Sequence, residues 1–89
     1  MPDYLALINV MLKPLVNDPQ GLAVRDGVHS LGFAEVRTVR VGKRIEVTVE
    51  AESAAAAEAS VRAMCEQLLA NPVIEMFSFE VSEVAAAGR

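Results

Sequence analysis

This 89-residue sequence has one histidine and one cysteine, the side chains that most readily act as a general base or a nucleophile near neutral pH. The single histidine, His29, could serve as a general base or a ligand, but the only carboxylate near it in sequence is Asp26. Cys65 could be a nucleophile, yet it follows Met64 in an apolar helical stripe, where a free cysteine usually behaves as a small buried hydrophobe. We interpret His29 as a solvated helix residue and Cys65 as part of the core.

Two short stretches could approach an anion: Gly42-Lys43-Arg44, and Asp18-Pro19-Gln20-Gly21 at the start of a helix. The chain has no Gly-x-x-x-x-Gly-Lys pattern and no Gly-x-Gly-x-x-Gly pattern after a strand, which argues against a nucleotide pocket. It has no cysteine and histidine cluster for zinc, and nothing in the sequence places two carboxylates around a scissile bond. The sequence therefore predicts no catalytic residues, no metal site and no cofactor bound by this chain.

Composition narrows the class of protein further. The formal net charge of −4 and the aromatic content of 4% argue against binding to nucleic acid or to an anionic membrane. A single cysteine permits no intrachain disulfide, and no apolar run reaches the roughly 20 residues that span a bilayer. We therefore predict a cytoplasmic protein with no export signal and no membrane anchor.

The stretch from Val36 to Glu50 predicts a β-hairpin that organises the rest of the chain. It is rich in β-branched residues, Gly42 lies at its middle, and its second arm alternates apolar and polar residues. A loop of three or five residues would place Val39 opposite Val47 and give one apolar and one polar ladder. A slip of one residue would turn an apolar set toward water, so this register is favoured.

The remaining periodicity predicts two more strands and two helices. They are a strand from Tyr4 to Lys13, a helix from Asp18 as N-cap to about Leu31, a helix from Ala54 to about Ala70, and a strand from Val73 to Val81. The order predicts an α+β fold of the split βαββαβ, ferredoxin-like type, with both helices on one face of a four-stranded antiparallel sheet. We expect one domain over residues 1–81 and a frayed tail over 82–89.

Both faces of the first strand are apolar. Tyr4, Ala6, Ile8, Val10 and Leu12 share one face, and Leu5, Leu7, Asn9, Met11 and Lys13 share the other. Helices on one side of the sheet would leave the second face uncovered. We therefore expect the chain to oligomerise through its sheet or to bind another protein there.

Three stretches, in this order and at this spacing, are similar to those of a known family: Lys13 to Gly21, Val39 to Lys43, and Leu68 to Glu75. From about Tyr4 to Val81 the chain resembles PurS, the small accessory subunit of phosphoribosylformylglycinamidine synthase. The motifs mark Lys13, Asp18, Arg40, Gly42, Lys43, Asn71 and Glu75 as partner-facing or shape-setting residues. A helix cap, a turn and a helix stop explain Asp18, Gly42 and Asn71, and Arg40, Lys43 and Glu75 are the favoured interface residues.

The resemblance implies a non-catalytic role in the ATP- and glutamine-dependent amidation of formylglycinamide ribonucleotide, a step of de novo purine biosynthesis. It implies a homodimer or homotetramer that brings a glutaminase subunit and a synthetase subunit together, so that ammonia passes between them. ATP and Mg²⁺ would belong to the synthetase subunit of this ligase complex.

Two other classes use the same order of elements. An ACT-like module, which binds an amino acid at a dimer interface, would need a glycine-rich turn after the first strand, where this chain has Pro14 to Gly21. An enzyme of acylphosphatase type would need an arginine in that same stretch, which contains none.

Overall fold

The computed structural model describes residues 1–84, which form three strands and two helices. In chain order these are β1 (Asp3–Leu12), α1 (Pro19–Ser30), β2 (Gly42–Glu50), α2 (Ala54–Met64) with a π-helical turn (Cys65–Leu69), and β3 (Glu75–Val84). The last strand runs to Val84, because its final residues pair with the start of β1. Residues 85–89 of the predicted tail lie outside the described residues.

The sheet is antiparallel and has the order β2-β1-β3. At its centre Ile8 lies opposite Ile45 of β2 and Phe79 of β3. Since side chains alternate along a strand, Tyr4, Ala6, Ile8 and Val10 all face α2, and all four are buried. The predicted division of the first strand into two faces is confirmed.

Helix α2 covers part of this face. The Ser53 hydroxyl caps it by accepting a hydrogen bond of 3.1 Å from the Ala56 N–H, and Val61 and Cys65 pack against the buried residues of β1. The Cys65 side chain is fully buried, and burial raises the pKa of its thiol. The interpretation of Cys65 as a core residue is confirmed.

The predicted hairpin does not form within the chain, so the sheet has three strands where four were expected. Residues 36–41 pair with no strand and lie against α1 instead. His29 Nε2 is 2.7 Å from the carbonyl oxygen of Val36, and the Val41 N–H donates to Asp18 Oδ2 over 2.8 Å. These contacts bind the segment to α1, and β2 pairs with β1.

Helix α1 does not cover the sheet, which corrects the prediction that both helices share one face. Gly21 is its only buried residue, and the exposed fractions of Val24 and Leu31 are 43% and 77%. The radius of gyration is 16.9 Å, against about 12 Å expected for a compact domain of this length. Residues 14–41, which we call the arm, therefore project from the sheet.

The second face of the sheet is mixed in character. Leu5, Leu7 and Met11 form an apolar row along β1, and the flanking strands place mostly polar residues beside it: Arg44, Glu46 and Thr48 on β2, and Ser78, Glu80 and Ser82 on β3. The apolar surface of this face is therefore narrower than the sequence predicted. Among residues 1–84 there is no helix both long and apolar enough to cross a membrane.

Candidate functional site

The residues that the sequence singled out meet at one end of the sheet, where the arm leaves β1 and returns to β2. We call residues 13–21 and 39–43 the arm root. A cleft of about 240 Å³ opens beside it and is lined by Val10, Leu12, Asp18, Gln20, Val41, Gly42, Lys43 and Glu75. Strand pairing explains the convergence, because Leu12 lies opposite Glu75 and Met11 opposite Gly42.

Asp18 is the central residue of the arm root and is only 5% exposed. One carboxylate oxygen accepts a hydrogen bond of 2.9 Å from the Gly21 N–H, and the other accepts one of 2.8 Å from the Val41 N–H. These two bonds, that from Val41 foremost, lower the pKa of the Asp18 carboxyl against the opposing effect of burial, and the nearby Arg40 charge adds to the lowering. Asp18 is thus the predicted helix cap and also the tie between two distant segments.

Gly21 and Gly42 are required by close approach of the backbone. A Cβ atom at Gly21 would collide with the carbonyl oxygen of Val39 and would lie 2.6 Å from Asp18 Oδ2. A Cβ atom at Gly42 would collide with the carbonyl oxygen of Val10. Gly42 therefore begins β2 in tight contact with β1, and the prediction that it forms a hairpin turn is wrong.

Arg40 binds the chain's own backbone. Its Nη2 donates to the carbonyl oxygens of Lys13 at 3.0 Å and Val16 at 3.2 Å, and its Nε lies 3.9 Å from Asp18 Oδ2. The guanidinium thereby links both sides of the arm root. These bonds give Arg40 a shape-setting role in the arm root, and its predicted contact with a partner stays a prediction.

Asn71 and Glu75 form a second hydrogen-bonded cluster beside the cleft. The Asn71 N–H donates to Glu75 Oε1 over 2.6 Å, the Glu75 N–H donates to the Asn71 carbonyl over 2.7 Å, and Asn71 Oδ1 accepts from the Val73 N–H over 3.0 Å. The main-chain N–H of Lys13 also donates to the Ile74 carbonyl, over 2.8 Å. These bonds fix the loop that leads into β3 against the arm root.

Lys13 and Lys43 differ from the other predicted site residues. Both are exposed, and within residues 1–84 neither ammonium group makes a hydrogen bond or an ion pair. They are the two cations of the set that can contact another molecule without breaking an internal bond. Sequence reasoning did not separate them from Arg40, because the partners of Arg40 lie 24 and 27 residues away.

Sequence reasoning also missed the contact of His29 with the carbonyl oxygen of Val36, seven residues along the chain. A histidine near the end of a helix is a weak signal, since many such residues are solvated. The described residues contain no group of three or more histidine, cysteine or acidic side chains arranged to hold a metal ion.

The fold and this site define a small α+β protein with a two-helix, three-stranded architecture, in which the buried Asp18 carboxylate ties backbone segments together. The model of the PurS family, described as phosphoribosylformylglycinamidine (FGAM) synthase, matches residues 5–83. The chain belongs to this family of FGAM synthase subunits, which act in purine biosynthesis. The resemblance inferred from the motifs is confirmed.

Three relatives show how far the similarity extends. The PurS subunit of Bacillus subtilis is 47% identical over 93% of this chain and 98% of its own length. The structure of Thermus thermophilus PurS superposes with a TM-score of 0.85 at 41% identity, covering 94% of this chain and all of that one. A chain in the PurLQS structure from Thermotoga maritima superposes with a TM-score of 0.80 at 36% identity, again covering 94% of this chain and all of that one.

Proposed function

We propose that this chain is the non-catalytic assembly subunit of an FGAM synthase complex. It would join a glutaminase subunit to a synthetase subunit, so that ammonia released from glutamine reaches formylglycinamide ribonucleotide without escaping. The observation that carries this proposal is the superposition of 94% of this chain on a chain of the Thermotoga maritima PurLQS structure. In this proposal ATP and Mg²⁺ are bound by the synthetase subunit, and the complex works in the cytoplasm.

The same proposal includes a homodimer or homotetramer. The exposed apolar residues of α1 and the partly exposed apolar residues of β1 support it, because a monomer would leave these surfaces in water. We also propose that the four-stranded, ferredoxin-like sheet expected from the sequence is completed only in the oligomer.

Lys13 and Lys43 are our candidates for contact with a partner subunit. They lie at one end of the sheet in a protein of net charge −4, so they provide a local positive site for an acidic surface. The tied polar side chains around them, Asp18, Arg40, Asn71 and Glu75, would hold the backbone that presents these two lysines.

Assembly can be measured by native mass spectrometry of this chain mixed with the glutaminase and synthetase subunits of the same organism. We expect one complex containing all three, and separate glutaminase and synthetase when this chain is left out.

Lys43→Glu should weaken assembly by about 10-fold, because it turns an attraction at the interface into a repulsion. The matched control is Arg44→Glu, which makes the same charge change one residue further along, at a side chain already 3.7 Å from Glu46. If the glutaminase and synthetase subunits associate to the same extent with and without this chain, the proposal is contradicted.

A further inference from the structure

A second, smaller cleft lies between α1 and residues 38–40 and shares Asp18 with the cleft at the arm root. Its volume is about 150 Å³, and Arg25 and Arg40 both line it. We call it the arginine cleft. Two guanidinium groups at one small opening form a local concentration of positive charge, although the chain as a whole has a net charge of −4.

Arg25 is the residue of the arginine cleft that has a donor without an acceptor. Its side chain starts from the middle of α1 and is 36% exposed, and its Nη2 lies 3.7 Å from the carboxylate of Asp26. Its Nε, by contrast, is buried and makes no hydrogen bond to any of residues 1–84. Such a donor is rare in folded proteins, because the water that it loses on burial is not replaced. The Nε–H of Arg25 is therefore placed for an acceptor that the described chain does not supply.

The charges that line the cleft indicate the charge of this acceptor. Arg25 and Arg40 are both cationic. Asp18 is ionised near neutral pH, because its hydrogen bonds from the backbone, that from Val41 foremost, lower the pKa of its carboxyl. The lining thus has a net charge of +1. A carboxylate matches this charge, whereas a phosphate monoester, with a charge of about −1.5 to −2 at pH 7, exceeds it.

The walls and the size of the cleft narrow the ligand further. Leu22 and Val39 line the cleft beside the charged groups, so a bound anion lies next to apolar surface. An aspartate or glutamate side chain fits both parts, because its methylene groups contact the apolar wall while its carboxylate meets the guanidinium. A volume of about 150 Å³ is below the roughly 300 Å³ at which pockets for drug-sized ligands begin, which argues against a nucleotide.

The other polar groups of the lining can also bind a carboxylate. Two backbone carbonyl oxygens hold Arg40 in place, so its charge is presented from a fixed position. The side chains of Asn17 and Thr38 make no hydrogen bond within residues 1–84, and both residues are exposed at the rim. A side chain from outside can therefore enter the cleft and meet these donors without breaking an internal bond.

We propose that the arginine cleft binds the carboxylate of an aspartate or glutamate side chain of a partner subunit, and that Arg25 is the residue that pairs with it. Arginine is a frequent anchor of protein interfaces, since its planar guanidinium binds a carboxylate through two parallel hydrogen bonds. This inference rests on the proposed function, which supplies the partner subunits, and it adds a contact separate from those of Lys13 and Lys43.

The affinity of the complex tests the role of Arg25. Native mass spectrometry of the glutaminase and synthetase subunits, at increasing concentrations of this chain, should show assembly weakened by at least about 10-fold in Arg25→Gln. Arg25→Lys should lie between Arg25→Gln and the wild type, because it keeps the charge and loses the paired donors. The matched control is Arg37→Gln, which removes the same charge from an exposed arm residue outside the cleft and should change assembly by less than about twofold. Circular dichroism establishes that each variant is folded.

Carboxyl labelling identifies the acceptor. Carbodiimide and glycine ethyl ester modify accessible carboxylates, and mass spectrometry of the digested subunits locates the modified residues. We expect one aspartate or glutamate of the glutaminase or synthetase subunit to be protected in the complex with the wild-type chain. The same carboxylate should be modified in the complex with Arg25→Gln, at concentrations where both complexes are fully assembled.

The outcomes separate this inference from the proposed function. Weaker assembly of Arg25→Gln, together with loss of that protection, supports the inference. Assembly of Arg25→Gln equal to the wild type, or no partner carboxylate whose protection depends on Arg25, overturns the inference and leaves the proposed function standing. Protection on a second copy of this chain instead of a partner also overturns it, as does an equal effect of Arg37→Gln. If the wild-type chain forms no complex, the proposed function fails and the inference fails with it.

Discussion

Gly21→Ala should lower the free energy of unfolding by at least about 2 kcal/mol, whereas Gly27→Ala should raise it by up to about 1 kcal/mol. Both glycines lie in α1, where alanine is the better helix former. At Gly21 the new methyl group collides with the Val39 carbonyl oxygen and crowds the Asp18 carboxylate, while at Gly27 no atom lies within 4 Å of its position. Urea unfolding at one fixed protein concentration measures both changes.

Hydrogen exchange shows where the Gly21 substitution acts. The Val41 N–H is held by Asp18, and its exchange should speed up in Gly21→Ala and remain unchanged in Gly27→Ala. If Gly21→Ala is as stable as Gly27→Ala, the backbone of residue 39 does not pack against α1, and the packing described for the arm root is contradicted.

Asp18→Ala should lower the melting temperature by at least about 5 °C, since it removes the helix cap and leaves the Val41 N–H without its acceptor. The melting temperature of Asp18→Asn should lie between those of Asp18→Ala and the wild type. An amide oxygen can accept from only one of the two N–H groups, and the NH₂ group of the amide then faces the other. Circular dichroism on heating measures both. If Asp18→Ala has the same melting temperature as the wild type, the two hydrogen bonds of Asp18 do not stabilise the fold as described.

The lowered pKa of Asp18 gives this effect a pH dependence. A carboxyl whose pKa is lowered by folding stabilises the folded state above its unfolded pKa, near 3.8, and this contribution disappears as the pH falls through the folded value. The difference in melting temperature between wild type and Asp18→Ala should therefore be constant near neutral pH and shrink below about pH 3.8. A difference that stays unchanged in acid would mean that the charge of Asp18 plays no part.

Local features of the fold could be predicted from the sequence because they depend on neighbouring residues. Asp18 and Ser53 cap the two helices as expected, since a cap needs only a short polar side chain three residues before a free N–H. The faces of β1 follow from alternation alone, and Cys65 falls in the core through helical spacing. The residues of the arm root could be selected through their resemblance to family motifs.

Contacts between distant parts of the chain could not be predicted. The pattern from Val36 to Glu50 indicates two complementary strands, but it does not say whether they meet in one chain or across two. The choice depends on the bond between Asp18 and the Val41 N–H, which spans 23 residues, and on the carbonyl partners of Arg40. The same limit applies to Arg40, since nothing in its own motif reveals that its Nη2 donates to the carbonyl oxygens of Lys13 and Val16.

Above all, we propose that this chain joins the glutaminase to the synthetase so that ammonia passes between them, and that it performs no bond chemistry itself. The most direct test measures FGAM formation by the glutaminase and synthetase subunits with and without this chain, once with glutamine and once with ammonium as the nitrogen source. We predict that omitting the chain reduces the glutamine-dependent rate by about 100-fold, because released ammonia is diluted into solvent, and changes the ammonium-dependent rate by less than about twofold. An equal loss of both rates, or no loss of either, would contradict the claim.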